Sequence, residues 1–203
     1  NNVDVAAGRI VYTQWLNERG GIEADLTVTR LSENDYLVVT SAGSQVRDFK
    51  WLTSHIPADA HCFATDVTSA YAVISVMGPN GRALLQSLSP DDLSHQAFPF
   101  GTSREIELGM GLVRASRITY VGELGWELYM PSEFAQHIFE TIMTAGAPFG
   151  LKPAGLHALN SLRIEKAYRH WGHDISEEET PLDAGLMFAV KLSKPDFIGR
   201  DAL

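Results

Sequence analysis

Residues 8–31, GRIVYTQWLNERGGIEADLTVTRL, constrain the fold more than any other stretch of the chain. Two apolar, β-branched runs flank the short polar NERGG, which supplies the flexible residues a chain reversal needs. A connection this short returns the second strand antiparallel beside the first, whereas a parallel crossover needs a dozen or more residues. DYLVVTSA reads as a third strand.

Residues 44–56 place Val46, Phe49, Leu52 and Ile56 at near-helical spacing, with Ser44 as the N-cap, which predicts an amphipathic helix. YAVISVMG is almost continuously apolar and is expected to be a strand covered on both faces, followed by a short helix in PNGRALLQSL. Residues 89–103 carry the Ser, Pro and Asp of a linker, but Phe98 and Phe100 point to a packed loop. Residues 111–121 and 125–130 read as two strands joined by a turn at GEL or slightly longer. Ser132 is expected to cap a helix bearing Phe134, Ala135, Ile138, Phe139 and Ile142 and ending at Gly146; a further helix over 155–169 aligns Leu156, Leu159 and Leu162. Irregular alternation of strands and helices, with hairpins, predicts an α+β fold with mixed or antiparallel sheets and packed helices.

The 203 residues suffice for one sizeable core or two small ones, and 45% apolar with 20% charged content is ordinary for a soluble globular protein. A formal net charge of -9 argues against nucleic acid as a partner, because phosphate binding relies on concentrated Lys and Arg. No apolar run approaches the length that spans a bilayer, so no membrane partner is expected. The lone Cys62 cannot form an internal disulfide, which favours a reducing compartment. The first residue is not Met, and FIGRDAL stops at what reads as the start of a helix, so the chain reads as incomplete at both ends.

Several motifs carry residues capable of chemistry. GMGLVR at 109–114 lacks the third glycine and the following helix of a dinucleotide loop, and reads as a turn into a strand. YRHWGHD at 168–174 clusters His170, His173 and Asp174, but Gly172 breaks the helix a shared metal would require; a helix C-terminus with basic residues accounts for it better, and no metal is expected. No nucleophile elbow of the G-x-S-x-G type appears. Asp25 lies in an apolar strand just past a double glycine, where it is either a turn residue or a carboxylate facing a cleft and poised for a protonated amine. In ITYVGELGWELYMP, strand alternation sends Trp126, Leu128 and Met130 to one face and Glu127 and Tyr129 to the other. Glu127 is then either a solvent-facing residue or a ligand group, since a carboxylate among aromatics suits a flat heterocycle with adjacent N–H donors.

RGGIEADLTV, RITYVGELGWELY, SLRIEKAYRHWGHD and TPLDAGLMFAVKL, in that order, resemble successive motifs of the folate-binding domain shared by the glycine cleavage T protein and the dimethylglycine and sarcosine dehydrogenases. The likeness runs from about Gly8 to Leu203, and YVGELGWELY and EKAYRHWG are most similar to the dehydrogenase branch. It implies that residues 1–203 are a folate-binding, aminomethyltransferase-like domain, with a flavin domain upstream and a C-terminal barrel downstream in other parts of a longer chain. It further implies tetrahydrofolate as cofactor here, FAD in the upstream domain, and an N-methyl amine or its iminium as substrate. In that branch the methylene unit is captured as methylenetetrahydrofolate. Carried over position by position, Asp25 matches the acidic residue beside the reactive folate nitrogens, followed along the pocket wall by Leu26 and Thr27. Tyr120 matches the pterin-contacting tyrosine and Glu127 the glutamate gripping the pterin edge, with Leu128 and Tyr129 adjoining and Glu123 left to the turn. Leu159 stands where stand-alone aminomethyltransferases carry a folate-contacting arginine, which counts against transfer from a lipoyl-bound group. A flavin-free aminomethyltransferase or demethylase and a non-catalytic folate-binding module are the alternatives. The expected location is bacterial cytoplasm, or the mitochondrial matrix in a eukaryote; the sequence does not specify an oligomeric state.

Overall fold

The first hairpin forms from β1 (Ile10–Leu16) and β2 (Ile22–Arg30), antiparallel, with Tyr12 opposite Thr27 and Gln14 opposite Asp25. The structure is a computed structural model and describes all of residues 1–203. Asn17 closes the turn by accepting the backbone N–H groups of Arg19 and Gly21 on its Oδ1, both at 3.0 Å. The two glycines serve different needs: Gly20 has φ +81°, and a Cβ on Gly21 would stand 1.9 Å from the Glu177 carbonyl oxygen.

The chain divides into two compact units, residues 1–66 with 169–203, and residues 67–168. In the first, β3 (Tyr36–Val39) pairs with β2 to complete a sheet of order β1-β2-β3. β2 alternates cleanly: Ala24, Leu26 and Val28 form an apolar cluster with Trp15 and Val38, while Asp25 and Thr27 lie half-buried on the opposite face. Residues returning from the C-terminal part, Ile175, Ala184 and Leu186, pack on Leu16 and Ile22, and Trp171 Nε1 donates to the Ile22 carbonyl at 2.7 Å.

α1 (Gln45–Ser54) half-buries Phe49 and Leu52 of the expected face, and Ile56 just past its end, but leaves Val46 out. Val46 is 82% exposed, and the buried residue is Asp48. Its carboxylate accepts from Ser44 Oγ at 2.6 Å and from Thr40 Oγ1, with the Arg47 guanidinium at 3.5 Å. Ser44 therefore occupies the N-cap position without capping, because a buried carboxylate needs donors that water cannot supply, whereas the helix end is open to solvent.

The second unit is a four-stranded antiparallel sheet of order β4-β7-β6-β5, made of β4 (Tyr71–Met77), β5 (Ser103–Leu108), β6 (Gly111–Ser116) and β7 (Gly125–Pro131). One face carries the core, in which Trp126, Leu128 and Met130 meet Ile106, Val113, Phe98, Leu84 and Leu85, with Ile138 and Ile142 from α3 (Ala135–Gly146). Leu84 and Leu85 come from α2 (Gly81–Gln86). β4 corrects the expectation of a doubly covered strand. It is an edge strand whose Tyr71 and Val73 are 46% and 52% exposed, because only its Ala72, Ile74 and Val76 side meets the core. The loop at 89–103 buries Phe98 but leaves Phe100 exposed. GMGLVR is a tight hairpin turn with Leu108 opposite Gly111 and Gly109 at φ +59°.

The connection between β6 and β7 is longer than GEL and spans 117–124, since Arg117 continues to pair with Thr102 and Gly101 and draws the chain away from β7. Tyr120 consequently sits in this connection, outside either strand. Ser132 does not cap α3: its hydroxyl donates to the Ser69 carbonyl at 3.0 Å, and α3 begins at Ala135 after a single tight turn. Phe134 and Phe139 are exposed, so only Ile138 and Ile142 of the expected stripe are buried.

α4 (Leu156–Glu165) ends earlier than 169, and its Leu156 and Leu162 are exposed while Arg163 is buried. The stop is a Schellman-type end: Tyr168 N–H donates to the Arg163 carbonyl at 3.0 Å and Ala167 N–H to that of Ile164 at 2.9 Å. Ala167 holds φ +57° at the position glycine usually fills. Replacing Ala167 by glycine is expected to stabilise the protein by up to about 1 kcal/mol, relief of left-handed strain outweighing the added chain entropy. An unchanged or lower thermal midpoint would count against that strain. YRHWGHD therefore lies past the helix, in turns where the backbone N–H groups of His173 and Asp174 donate to the His170 carbonyl.

Candidate functional site

Within the first unit, the polar face of the β1–β2 hairpin gathers Tyr12, Gln14, Asp25 and Thr27. The register opposes Gln14 to Asp25, and Tyr12 is two residues along on the same face, so both reach the carboxylate. Tyr12 Oη donates to Asp25 Oδ1 at 2.5 Å and Gln14 Nε2 donates to the same oxygen at 3.2 Å. No protein group donates to Asp25 Oδ2. The Tyr12 ring is fixed in turn by stacking on Phe188, with centroids 5.7 Å apart.

Burial pushes the Asp25 carboxyl above the usual carboxylate range, and the hydrogen bonds from Tyr12 and Gln14 pull it part of the way back. One oxygen is thus anchored while the other is left for a proton or a ligand. Of the two neighbours assigned to the pocket wall, Thr27 shares the face of Asp25. Leu26 does not, because alternation turns its side chain into the cluster with Ala24 and Val28. The turn Asn17–Gly21 also borders an open cleft of about 810 Å³ with Trp51, His55 and residues 196–201, of which Asp25 is not a part.

Within the second unit, Glu127 and Tyr129 occupy the sheet face opposite the core, as alternation predicts. Tyr129 Oη donates to Glu127 Oε2 at 2.5 Å, while Oε1 accepts nothing from the protein. Burial raises the Glu127 carboxyl, offset in part by this bond. Burial and the adjacent carboxylate both push the Tyr129 phenol up, so it remains a donor. Across the sheet, Ser75 and Ser116 flank Glu127 in register, and Ser116 Oγ donates to Ser103 Oγ at 3.0 Å. Leu128 is fully buried in the core, so its side chain faces away from Glu127.

Tyr120 stacks on Tyr168 with centroids 6.2 Å apart and planes at 29°. Arg163 secures that partner by donating from Nη1 to the Tyr168 carbonyl at 2.8 Å and from Nε to Asn160 Oδ1 at 2.9 Å. Gly122, at φ +68°, packs its α-carbon on the Lys166 side chain, and Glu123 forms a 3.5 Å ion pair with Lys166. Both partners of that pair are more than two-fifths exposed, so it contributes little to stability.

Sequence reasoning had not singled out Tyr12 or Gln14. The length of NERGG foretells the antiparallel hairpin but not these contacts, because the pairing shifts by one residue between Trp15 and Leu16, and that irregularity is what sets Gln14 opposite Asp25. Tyr168 was only one letter of a longer motif, and its pairing with Tyr120 arises from the turn that ends α4. No group of three or more His, Cys, Asp or Glu side chains is arranged to hold a metal ion, and no helix is long and apolar enough to cross a membrane.

Residues 1–194 match a family model described as the GCVT N-terminal domain. The chain is 42% identical over 203 residues to a 4-methylaminobutanoate oxidase (formaldehyde-forming) of Paenarthrobacter nicotinovorans, an alignment covering 100% of this chain and 24% of that protein. It is 42% identical over 214 residues to mitochondrial sarcosine dehydrogenase of Homo sapiens, covering 97% of this chain and 23% of the other. The crystal structure of the glycine cleavage system aminomethyltransferase T from Bartonella henselae matches with a TM-score of 0.81 at 29% identity, over 98% of this chain and 53% of that one. The α+β architecture with antiparallel sheets is common to both structures. The chain spans about a quarter of the length of these two curated relatives.

Proposed function

Because the chain belongs to the GCVT N-terminal domain family, we propose that it binds tetrahydrofolate and transfers to it a one-carbon unit released by oxidation of an N-methyl amine, as part of a flavin-linked N-methylglycine dehydrogenase. The observation that carries this reading is the state of Asp25: a half-buried carboxylate with raised proton affinity, one oxygen anchored by two donors and the other open. Within the second unit, the open Oε1 of Glu127 and the remaining lone pairs of its Oε2 suit the adjacent N–H donors of a pterin edge. Each carboxylate therefore offers acceptors of the kind that the N–H groups of a reduced folate need.

When bound, tetrahydrofolate supplies the nucleophilic amine nitrogen. Asp25 would orient the N–H of that nitrogen through Oδ2, take its proton as the bond to the iminium carbon forms, and return that proton to the original amine nitrogen as its bond to the carbon breaks and the amine leaves. Tyr12 and Gln14 keep the carboxylate aimed and limit how far burial raises its proton affinity. Glu127, held by Tyr129, grips the heterocycle without entering the bond changes. FAD, in another part of a longer protein, would supply the oxidation.

The test is transfer of labelled carbon from an N-methyl amine to tetrahydrofolate by the full-length protein, with free formaldehyde measured in parallel. Release of all the carbon as formaldehyde despite bound folate would refute the assignment. Tyr12→Phe removes the stronger anchor of Asp25 and is expected to move the acidic limb of the pH–rate profile to higher pH, because the lost hydrogen bond had lowered the carboxyl's proton affinity. An unmoved limb would separate Tyr12 from the titrating group.

A flavin-free aminomethyltransferase is the second reading, supported by the likeness to the Bartonella henselae structure. The coding sequence upstream decides between them: a region of roughly 400 residues opening on a G-x-G-x-x-G fingerprint supports the dehydrogenase.

A further inference from the structure

Around the fully buried indole of Trp126 the second unit gathers positive charge, of which only Arg104 feels a nearby carboxylate, that of Asp92. The Arg82 guanidinium lies 5.8 Å and that of Arg117 5.6 Å from the ring centroid. A third guanidinium, from Arg104, sits 4.5 Å over the ring of Phe98, which itself meets Trp126 edge-on at 6.0 Å. None of these arginines is within ion-pair distance of an acidic side chain.

The hydrogen bonding is equally one-sided. Arg82 Nε, Arg117 Nε and Trp126 Nε1 are buried, and none finds an acceptor in the protein. All three are donors only. Buried donors are nearly always satisfied, and each one left unpaired costs about 1–3 kcal/mol. Arg117 is 7% exposed and spends Nη1 on the Phe98 carbonyl at 2.5 Å and on His95 Nδ1 at 3.0 Å. The Arg82 side chain makes no hydrogen bond with the protein. Burial chiefly, and the charge of Arg82 in addition, weaken the hold of Arg117 on its proton. The cluster is not sealed, since Arg82 is half-buried and His95 exposed.

We propose that Arg82, Arg117 and the Trp126 N–H form a binding site for a small oxyanion, a phosphate or a carboxylate. Such a group brings the acceptors that the three donors lack and the negative charge that the paired guanidiniums lack. Guanidinium forks match the spacing of two oxygens on either anion, and the indole face holds the forks in place through cation–π contact. The site is formed within residues 67–168 and uses neither Asp25 nor Glu127.

Titration calorimetry of the full-length protein with inorganic phosphate and, separately, with acetate at constant ionic strength tests this. Saturable binding of at least one anion is expected, weakened at least tenfold by Arg82→Gln and less severely by Arg82→Lys, which keeps the charge but lacks the fork. Arg82 contributes no hydrogen bond to the fold, so the glutamine variant is expected to fold normally. Stronger binding of phosphate or of acetate identifies which source of oxyanion the site prefers. Absence of saturable binding with both, or equal binding by the wild type and Arg82→Gln, would overturn the proposal.

Discussion

Asparagine at position 25 is expected to slow one-carbon transfer by about a hundredfold to ten-thousandfold, the range a positioned general base supplies, while folate affinity stays within a few-fold. The amide keeps the volume of the carboxyl and an acceptor for Tyr12 and Gln14, so the hairpin face is preserved. What it loses is the charge and the proton-accepting oxygen at Oδ2. The same substitution carries a stability signature of opposite sign. The folded protein raises the Asp25 carboxyl above its unfolded value, so folding favours the protonated form. Stability contributed by this group therefore falls as pH rises from the unfolded value through the folded one, and the penalty is complete above the latter. Asp25→Asn removes that penalty and is expected to raise stability near neutral pH by on the order of 1 kcal/mol, as relief of a strained functional group commonly does. The gain should vanish in acid, where aspartate is protonated in both states. Thermal midpoints across that range, measured beside single-turnover transfer, test both arms. Unchanged transfer would remove Asp25 from the chemistry, and a loss of stability at neutral pH would contradict its buried charge.

Glutamine in place of Glu127 should act on binding instead. Hydrogen bonds to a charged group are worth about 1.5–3 kcal/mol, so folate affinity is expected to fall roughly tenfold to a hundredfold. The maximal rate at saturating folate should change little, because Glu127 does not touch the reacting nitrogen in the proposed mechanism. Tyr129 can still donate to the amide oxygen, so the sheet is undisturbed. Equal affinity in wild type and variant would place the pterin elsewhere. The two substitutions together separate a group that acts on the rate from one that acts on affinity.

Individual residues show why some of this was legible before the fold was known. The hairpin at 8–31 and the alternation at 125–131 follow from local rules: a short polar turn sets antiparallel pairing, and a period of two sets the face. These rules were enough to separate Glu127 and Tyr129 from the core side chains Trp126, Leu128 and Met130. They also forecast the helices, if not their buried faces. Val46 and Leu156 look like core residues by spacing, yet both are exposed, while Asp48 and Arg163 are buried. Burial of a charged side chain depends on partners such as Thr40, Ser44 and Tyr168, and helical periodicity does not register them.

The amino-acid order by itself determined the α+β class, the two faces of β7 and, through a series of motifs in one order, the family. Tertiary structure alone decided that Tyr12 and Gln14 anchor one oxygen of Asp25, that Tyr120 stacks on Tyr168, and that three N–H donors around Trp126 find no acceptor in the protein. The division has a physical cause. Period and turn chemistry are encoded by near neighbours in the chain, whereas proton affinity and hydrogen-bond satisfaction depend on every group brought within a few ångströms, whatever its distance along the sequence.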